Sequence, residues 1–427
     1  MRLLIKLICI ICLTFDMYGV SPAVVYNYEG LKENGYLSDA KSDSLIFKMN
    51  LAQKITWERF YHPKTHLFYD YLSSYDPSKG LSHLPKPEEV LEQYPNNCGY
   101  DTGMEDSMIS AGVLLDMILD QYEVTNNNKL RKDAYKVFKG IKLCATVHGV
   151  PGFLARSVCV VDGKSIYINS SRDQYTHAVF GLWRYYNSEL CNPRIQKEIG
   201  TILASFADRM IINVTPENKF DFLTARGTID SRGITRMWNV NGHEAARLPM
   251  IYAAAWHTTG NKKYFDMYIK YLNPAIEQSM EIREEIVPTY SLIQMQSSMI
   301  LLRELEADKG RLKKIDDIML MVSKIGAKRA IQANSLASQL DLTMVGSDWR
   351  TGEGLNSKGE YRKVWYNIRE SGEAALAQLM CEKDNFNEEQ KVLLSQAIQR
   401  LDYNRVSSNG IFYLLGAYWK ARKQNLF

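Results

Sequence analysis

Asn97-Cys98-Gly99-Tyr100-Asp101-Thr102-Gly103-Met104-Glu105-Asp106-Ser107 is a polar loop broken by two glycines. It runs directly into the apolar series Met108, Ala111, Leu115, Ile118, Leu119, Tyr122. That spacing is helical, so the stretch crowds the carboxylates Asp101, Glu105 and Asp106 at one helix N-terminus. Outward from it, helical periodicity marks about twelve segments, roughly 40–61, 102–122, 128–148, 171–187, 193–212, 243–259, 261–279, 289–307, 310–325, 367–382, 387–402 and 408–422. They pair into hairpins across short breaks such as Thr125-Asn126-Asn127-Asn128 and Thr258-Thr259-Gly260-Asn261.

Two kinds of helix alternate. The segment at 128–148 sets Lys129, Arg131, Lys132, Asp133, Lys136, Lys139 and Lys142 opposite Ala134, Val137, Phe138 and Ile141, which leaves one wet face. From His177 to Trp183, Leu248 to Trp256 and Ile411 to Trp419 there is no Asp, Glu, Lys or Arg, and a helix apolar all round is buried on all sides. Alternation of this kind in hairpins predicts an all-α, double-layered (α/α)6 toroid, inner helices ringed by outer ones, as a single domain over 24–427. A solenoid would need a fixed repeat period, which the chain lacks. The connections that precede inner helices are long and share one end of the toroid. Val158-Cys159-Val160-Val161, Asp162-Gly163 and Ile166-Tyr167-Ile168 read as a β-hairpin there. The stretches 213–242 and 341–366 are aromatic and glycine-rich, with Arg226, Arg232, Arg236, Trp238, Trp349, Arg350, Glu353 and Trp365. Loops of such length within one domain are usually functional.

With 427 residues, 46% hydrophobic and 23% charged, and a formal net charge of +4, the composition is that of a folded protein without the basic runs of a nucleic-acid binder. Residues 1–23 read as a signal peptide: Arg2 and Lys6 flank an apolar run from Leu7 to Phe15, too short to span a bilayer, followed by Gly19, Ser21 and Ala23. The expectation is a secreted or periplasmic protein with no transmembrane segment after signal removal. Cys9 and Cys12 leave lipoprotein anchoring open. Cys98, Cys144, Cys159, Cys191 and Cys381 are too scattered for a disulfide framework or a metal site.

The inner helices are expected to start at Thr102, Ser171, Asn241, about Thr289, Asn367 and Ser408. Capping-box spacing gives Glu105, Gln174, Glu244 and Glu370 a structural reading, each binding back to its own cap. Asp101, Asp106 and Asp173 are left over at these starts, with His243, Arg172, Arg369 and Glu373 alongside. A first-turn aspartate can simply favour the helix dipole. Facing carboxylates across a cleft suit sugar chemistry, where one protonates the leaving oxygen and the other activates water. Tyr100, Tyr167, Tyr175, Trp238, Tyr290 and Trp349 could stack on sugar faces or serve as core. Arg156, Arg172, Arg247 and Arg350 could clamp a substrate carboxylate or neutralise the acidic mouth. No GxSxG, Cys/His nucleophile, phosphate loop, dinucleotide fingerprint or HExxH motif is present, and no metal or cofactor is called for.

Tyr100-Asp101-Thr102-Gly103-Met104 resembles the Asp-x-Gly segment of the unsaturated glucuronyl and rhamnogalacturonyl hydrolases, bacterial enzymes on a six-hairpin toroid. Ser171-Arg172-Asp173-Gln174-Tyr175 stands where that family opens its next inner helix with a second aspartate. Gly242-His243-Glu244-Ala245-Ala246-Arg247 is a loose counterpart of its Arg-Gly-Gln-Ala-Trp segment. The resemblance implies hydrolysis of an oligosaccharide bearing an unsaturated uronic acid, with Asp173 as general acid/base and Asp101 assisting. Asp101 through Ser107 is also similar to the Glu-Ser-Gly-hydrophobic-Asp-Asn-Ser stretch of inverting α-glucosidases, which implies Glu105 as the acid and Glu370 or Glu373 as the base. A polysaccharide lyase using Tyr290 and His243, and an inert glycan-binding protein, are the remaining alternatives.

Overall fold

The computed structural model describes residues 39–351, 359–384 and 386–427. The expected signal peptide and Glu353 lie outside them. Helix α1 (Asp39–Ile55) runs through a π turn into a two-stranded antiparallel hairpin, β1 (Tyr61–His62) and β2 (Leu67–Phe68), in which Tyr61 pairs with Phe68. A short α2 (Pro87–Leu91) follows, then α3 (Ser107–Thr125), α4 (Leu130–Thr146), α5 (Arg172–Tyr186), α6 (Pro193–Asn213), α7 (Arg247–Thr259), α8 (Lys262–Met280), α9 (Thr289–Leu305), α10 (Lys309–Ala337), α11 (Glu360–Leu379), α12 (Glu388–Gln399) and α13 (Ile411–Lys423).

Helices α3, α5, α7, α9, α11 and α13 each pack on the next, and α13 packs back on α3. That closed ring is the inner layer of an (α/α)6 toroid. Outside it α4 lies on α3, α6 and α8 on α7, α10 on α9 and α11, α12 on α11 and α13, and α1 beside α12 and α13, so α1 packs over the helix that closes the ring. Burial follows the charge pattern. His177 to Trp183 are all buried, whereas α4 exposes Arg131 and Lys132 and buries Ala134, Val137 and Phe138. Among the described residues no helix is long and apolar enough to cross a membrane, and the cysteines at 98, 144, 159, 191 and 381 are free.

Several expected boundaries move. Helix α3 starts at Ser107 rather than Thr102, because Gly99, Asp101 and Gly103 have φ of 67°, 70° and 85°, left-handed values that a right-handed helix excludes. Thr102 Oγ1 instead donates back to the Gly99 carbonyl (2.6 Å). Helix α11 begins at Glu360, so Asn367 lies two turns inside it and caps nothing. Tyr361, Val364, Trp365 and Ile368 already supply a buried helical stripe. α7 starts at Arg247 and α13 at Ile411, each a few residues late. The hairpin expected at 158–168 does not form strands. The Asp162 carboxylate accepts the amides of Lys164 (3.0 Å) and Ser165 (3.1 Å), which closes the segment as a turn.

Candidate active site

At the N-terminal mouth of the inner ring a cleft of about 430 Å³ is lined by Tyr100, Asp101, Glu105, Asp106, Ile109, Arg156, Asp173, Tyr290, Arg362, Trp365, Tyr366 and Arg369. The loop at 97–107, which the sequence pointed to, thus forms one wall, and the first turns of α5 and α9, the first three turns of α11 and Arg156 form the others.

Each carboxylate is held differently. Asp106 occupies the cap position of α3 without capping it. Its Oδ2 accepts from Arg369 Nη1 (2.7 Å), its Oδ1 accepts from Gln174 Nε2 (3.1 Å), and Arg156 Nη1 lies 3.6 Å from Oδ1. Asp173 pairs with the buried Arg247, whose other nitrogen donates to Gln294. Burial alone would raise Asp173, but Arg247, with Arg172 and Arg156 behind it, holds its carboxyl below the usual aspartate range. Asp101 is raised by burial against the pull of Arg362, whose guanidinium lies 3.8 Å away.

Glu105 is the exception. Its Oε2 accepts one weak bond from the Asp101 amide (3.3 Å), and its buried Oε1 has no partner. Burial and the neighbouring Asp106 charge lift it to about 7, against the pull of Arg362. Glu105 is thus placed to hold a proton near neutrality, while Arg247 holds Asp173 toward its charged form.

The cations are anchored from behind. Arg156 donates to the Glu105 carbonyl (2.8 Å) and to the Tyr100 hydroxyl (3.1 Å). Arg369 Nε donates to Glu373 (2.6 Å), and its guanidinium lies 5.1 Å over both Trp365 and Tyr413. Arg362 rests over Trp365 (5.1 Å) and Tyr366 (5.2 Å) with its side chain 31% exposed. Glu373 is fully buried and raised to about 7 by its burial. It lies outside the cleft lining and serves Arg369, not a substrate.

The structure thus gathers Tyr100, Asp101, Glu105, Asp106, Arg156, Asp173 and Tyr290 and disperses the other candidates. Gln174 and Arg247 stand one layer back, bonded to Asp106 and Asp173. Arg172 and Glu244 pair with each other, and Arg172 Nη1 also donates to the Gly233 carbonyl (2.7 Å), so together they fasten the 214–246 loop. Glu244 also accepts the Asn241 amide (3.3 Å), the cap role its spacing predicted. His243 is buried beside Glu244 (3.9 Å), and the half-buried Glu370 accepts from the Thr289 hydroxyl (3.4 Å). Trp238 packs edge-on against Tyr271 of α8 (4.7 Å). Trp349 donates to the His83 carbonyl (2.9 Å), and Arg350 is consumed by Glu89 (2.6 Å) and Asp348 (2.9 Å). These long loops are aromatic and basic because they must fasten themselves to the rim. Tyr167 and Tyr175 are buried, bonded to the carbonyls of Tyr94 and Gly152. Among the described residues no group of three or more His, Cys, Asp or Glu could hold a metal ion.

Arg362, Tyr366, Ile109 and the buried Asp70 were missed. Arg362, Tyr366 and Arg369 follow i, i+4, i+7 spacing, so reading α11 from Glu360 would have put them on one face.

No protein-family model matches the chain, and no curated protein sequence does. Among solved structures, a sugar epimerase from a ruminal bacterium is similar at 12% identity and a TM-score of 0.47, over 87% of this chain and 98% of its own. The Lin0763 protein from Listeria innocua is similar at 11% identity and a TM-score of 0.49, over 90% and 98%. Cellobiose 2-epimerase from Spirochaeta thermophila is similar at 10% identity and a TM-score of 0.43, over 91% and 100%.

Proposed function

We propose that this chain is an exported glycoside hydrolase that cleaves an oligosaccharide bearing a uronic acid, by carboxylate general acid/base catalysis. The observation that carries the reading is that one aromatic-lined cleft holds both Glu105, which burial raises to about 7, and Asp173, which Arg247 holds below the usual aspartate range. Glu105 gives its proton to the glycosidic oxygen as the C–O bond breaks. Asp173, 26% exposed while Arg247 holds its Oδ1, takes a proton from the water that adds to the anomeric carbon. The resemblance-based assignment of Asp173 as proton donor gives way to Glu105, since an aspartate salt-bridged to arginine is a poor proton reservoir. Tyr100, Tyr290, Trp365 and Tyr366 offer ring faces and edges to a sugar, and three arginines favour an acidic one.

An ultraviolet assay over lyase-digested and intact acidic glycans tests this. Loss of the C4–C5 double-bond absorbance means an unsaturated uronide is the substrate. New reducing ends at constant absorbance mean an ordinary glycosidic bond is cut. A rising absorbance would instead make the protein a lyase, and no change with retained glycan binding would make it an inert binder.

A further inference from the structure

Tyr100 is held so that its hydroxyl hydrogen is turned one way. Asn96 pins its backbone: Oδ1 accepts the Tyr100 amide (3.1 Å) and Nδ2 donates to the Tyr100 carbonyl (3.2 Å). Two guanidiniums lie against its ring, Arg156 at 4.9 Å and Arg232 at 5.1 Å from the ring centre. Both are fixed by other partners. Arg156 is buried and also donates to the Glu105 carbonyl (2.8 Å), and Arg232 donates to Asp230 (3.4 Å) and to the Cys98 sulfur (2.7 Å). From that position Arg156 Nη2 donates to the Tyr100 hydroxyl oxygen (3.1 Å). A guanidinium carries donors and no acceptor, so it takes a lone pair of the phenol and turns the phenol's own hydrogen away. Among the described residues nothing accepts that hydrogen. A donor shut inside the protein without an acceptor is costly, and the open space that Tyr100 lines is the cleft.

We infer that the Tyr100 hydroxyl is a fixed hydrogen-bond donor to an acceptor oxygen of the bound sugar, aimed and polarised by Arg156. Burial raises this hydroxyl to about 12 against the pull of Arg156, so it keeps its hydrogen well past neutrality. The inference rests on the reading of the cleft as the place where an acidic glycan binds, and not on which carboxyl is the acid. In that reading Glu105 serves the glycosidic oxygen, and Tyr100 reads a second oxygen of the same ligand. That oxygen belongs either to the uronate carboxylate or to a neutral part of the sugar. Donation to a carboxylate is charge-assisted and roughly twice as strong, so the two sources differ in what the loss of the donor costs.

The test uses the full chain, with uronic-acid oligosaccharides from the lyase-digested panel and the same oligosaccharides after carboxyl reduction. In the wild type the carbon-13 signal of Tyr100 Cζ should shift as the acidic glycan is added; a signal that stays put under saturating glycan would overturn the inference, and this arm needs no variant to fold. Tyr100→Phe keeps the ring against its two guanidiniums and removes only the donor. Its Kd for the acidic glycan should rise about ten- to a hundredfold, with the reduced glycan little changed, if the acceptor is the carboxylate. A rise of about three- to tenfold for both glycans would support the donor and make its partner a neutral sugar oxygen. A variant that loses thermal stability, because Arg156 has lost an acceptor, yet binds both glycans as tightly as before would reduce the hydroxyl to a structural role and overturn the proposal. Failure of the wild type to bind either glycan would overturn the reading of the cleft and this donor with it. A normal rate in Glu105→Gln would remove the assigned acid alone and leave the role of Tyr100 standing.

Discussion

Glu105 and Asp173 are chemically similar groups in one cleft, and only their neighbours separate them. Replacing Glu105 with Gln keeps the shape and removes the proton, so kcat should fall by about 10²–10⁴, the usual contribution of a general acid, with KM little changed. Steady-state kinetics on the substrate found by the ultraviolet assay checks this. The same substitution has a consequence for stability. The folded value of Glu105 is about 7 against an ordinary 4.5, so the folded state binds its proton more tightly than the unfolded chain. Its contribution is complete below the ordinary value and is lost as pH rises through 7, at about 1.4 kcal/mol for each pH unit that separates the two values. Glu373 behaves likewise. Glu105→Gln should therefore lose less thermal stability than wild type between about pH 5 and 8, with roughly half the slope remaining from Glu373; scanning calorimetry across that range decides it. The sequence exposed Glu105 through its place between a glycine turn and an apolar helix. Its raised proton affinity was not legible, because the largest cause is burial, which only the fold creates.

At the scale of elements, the inner ring is tight where glycines let helices touch. A Cβ on Gly112 of α3 would stand 2.2 Å from the His177 carbonyl of α5, and one on Gly181 would stand 3.1 Å from the Gly112 Cα. Gly112→Ala must push α3 and α5 apart, at a cost of about 1–3 kcal/mol by the usual penalty for overpacking. Since these helices carry Asp106 and Asp173, activity should fall further than stability explains; a denaturant midpoint measured beside kcat checks both. Helix identity and alternation were readable because charge-free runs such as Leu248–Trp256 have no other stable home. Helix starts were less readable. The box spacing of Thr102 and Glu105, or of Asn367 and Glu370, is the same whether or not the backbone is free to use it. Left-handed residues forbid the first, and an earlier apolar stripe overrides the second.

The whole molecule is a ring, and a ring stays shut only if its last helix meets its first. At the end opposite the cleft, Lys420 of α13 is buried against Asp116 (3.2 Å) and Asp120 (2.5 Å) of α3, with Arg184 of α5 also on Asp120 (3.1 Å). Burial opposes the charge on Asp120, but Lys420 and Arg184 overcome it and hold the carboxyl below the ordinary aspartate range. Lys420→Met strips a buried carboxylate of its main partner, a loss of about 3–5 kcal/mol. Its pH signature runs opposite to that of Glu105. A depressed aspartate contributes stability above its unfolded value that disappears as pH falls through the folded one, so the variant's deficit should be largest near neutrality and shrink in acid. Because each inner helix buries its neighbours' faces, opening the seam should expose the ring throughout. Helix content and cleft activity should then be lost together at one lowered midpoint in thermal melts of Lys420→Met. Loss of α13 as a separate early step, with activity surviving it, would mean that the seam is a local latch and that the toroid coheres without being closed.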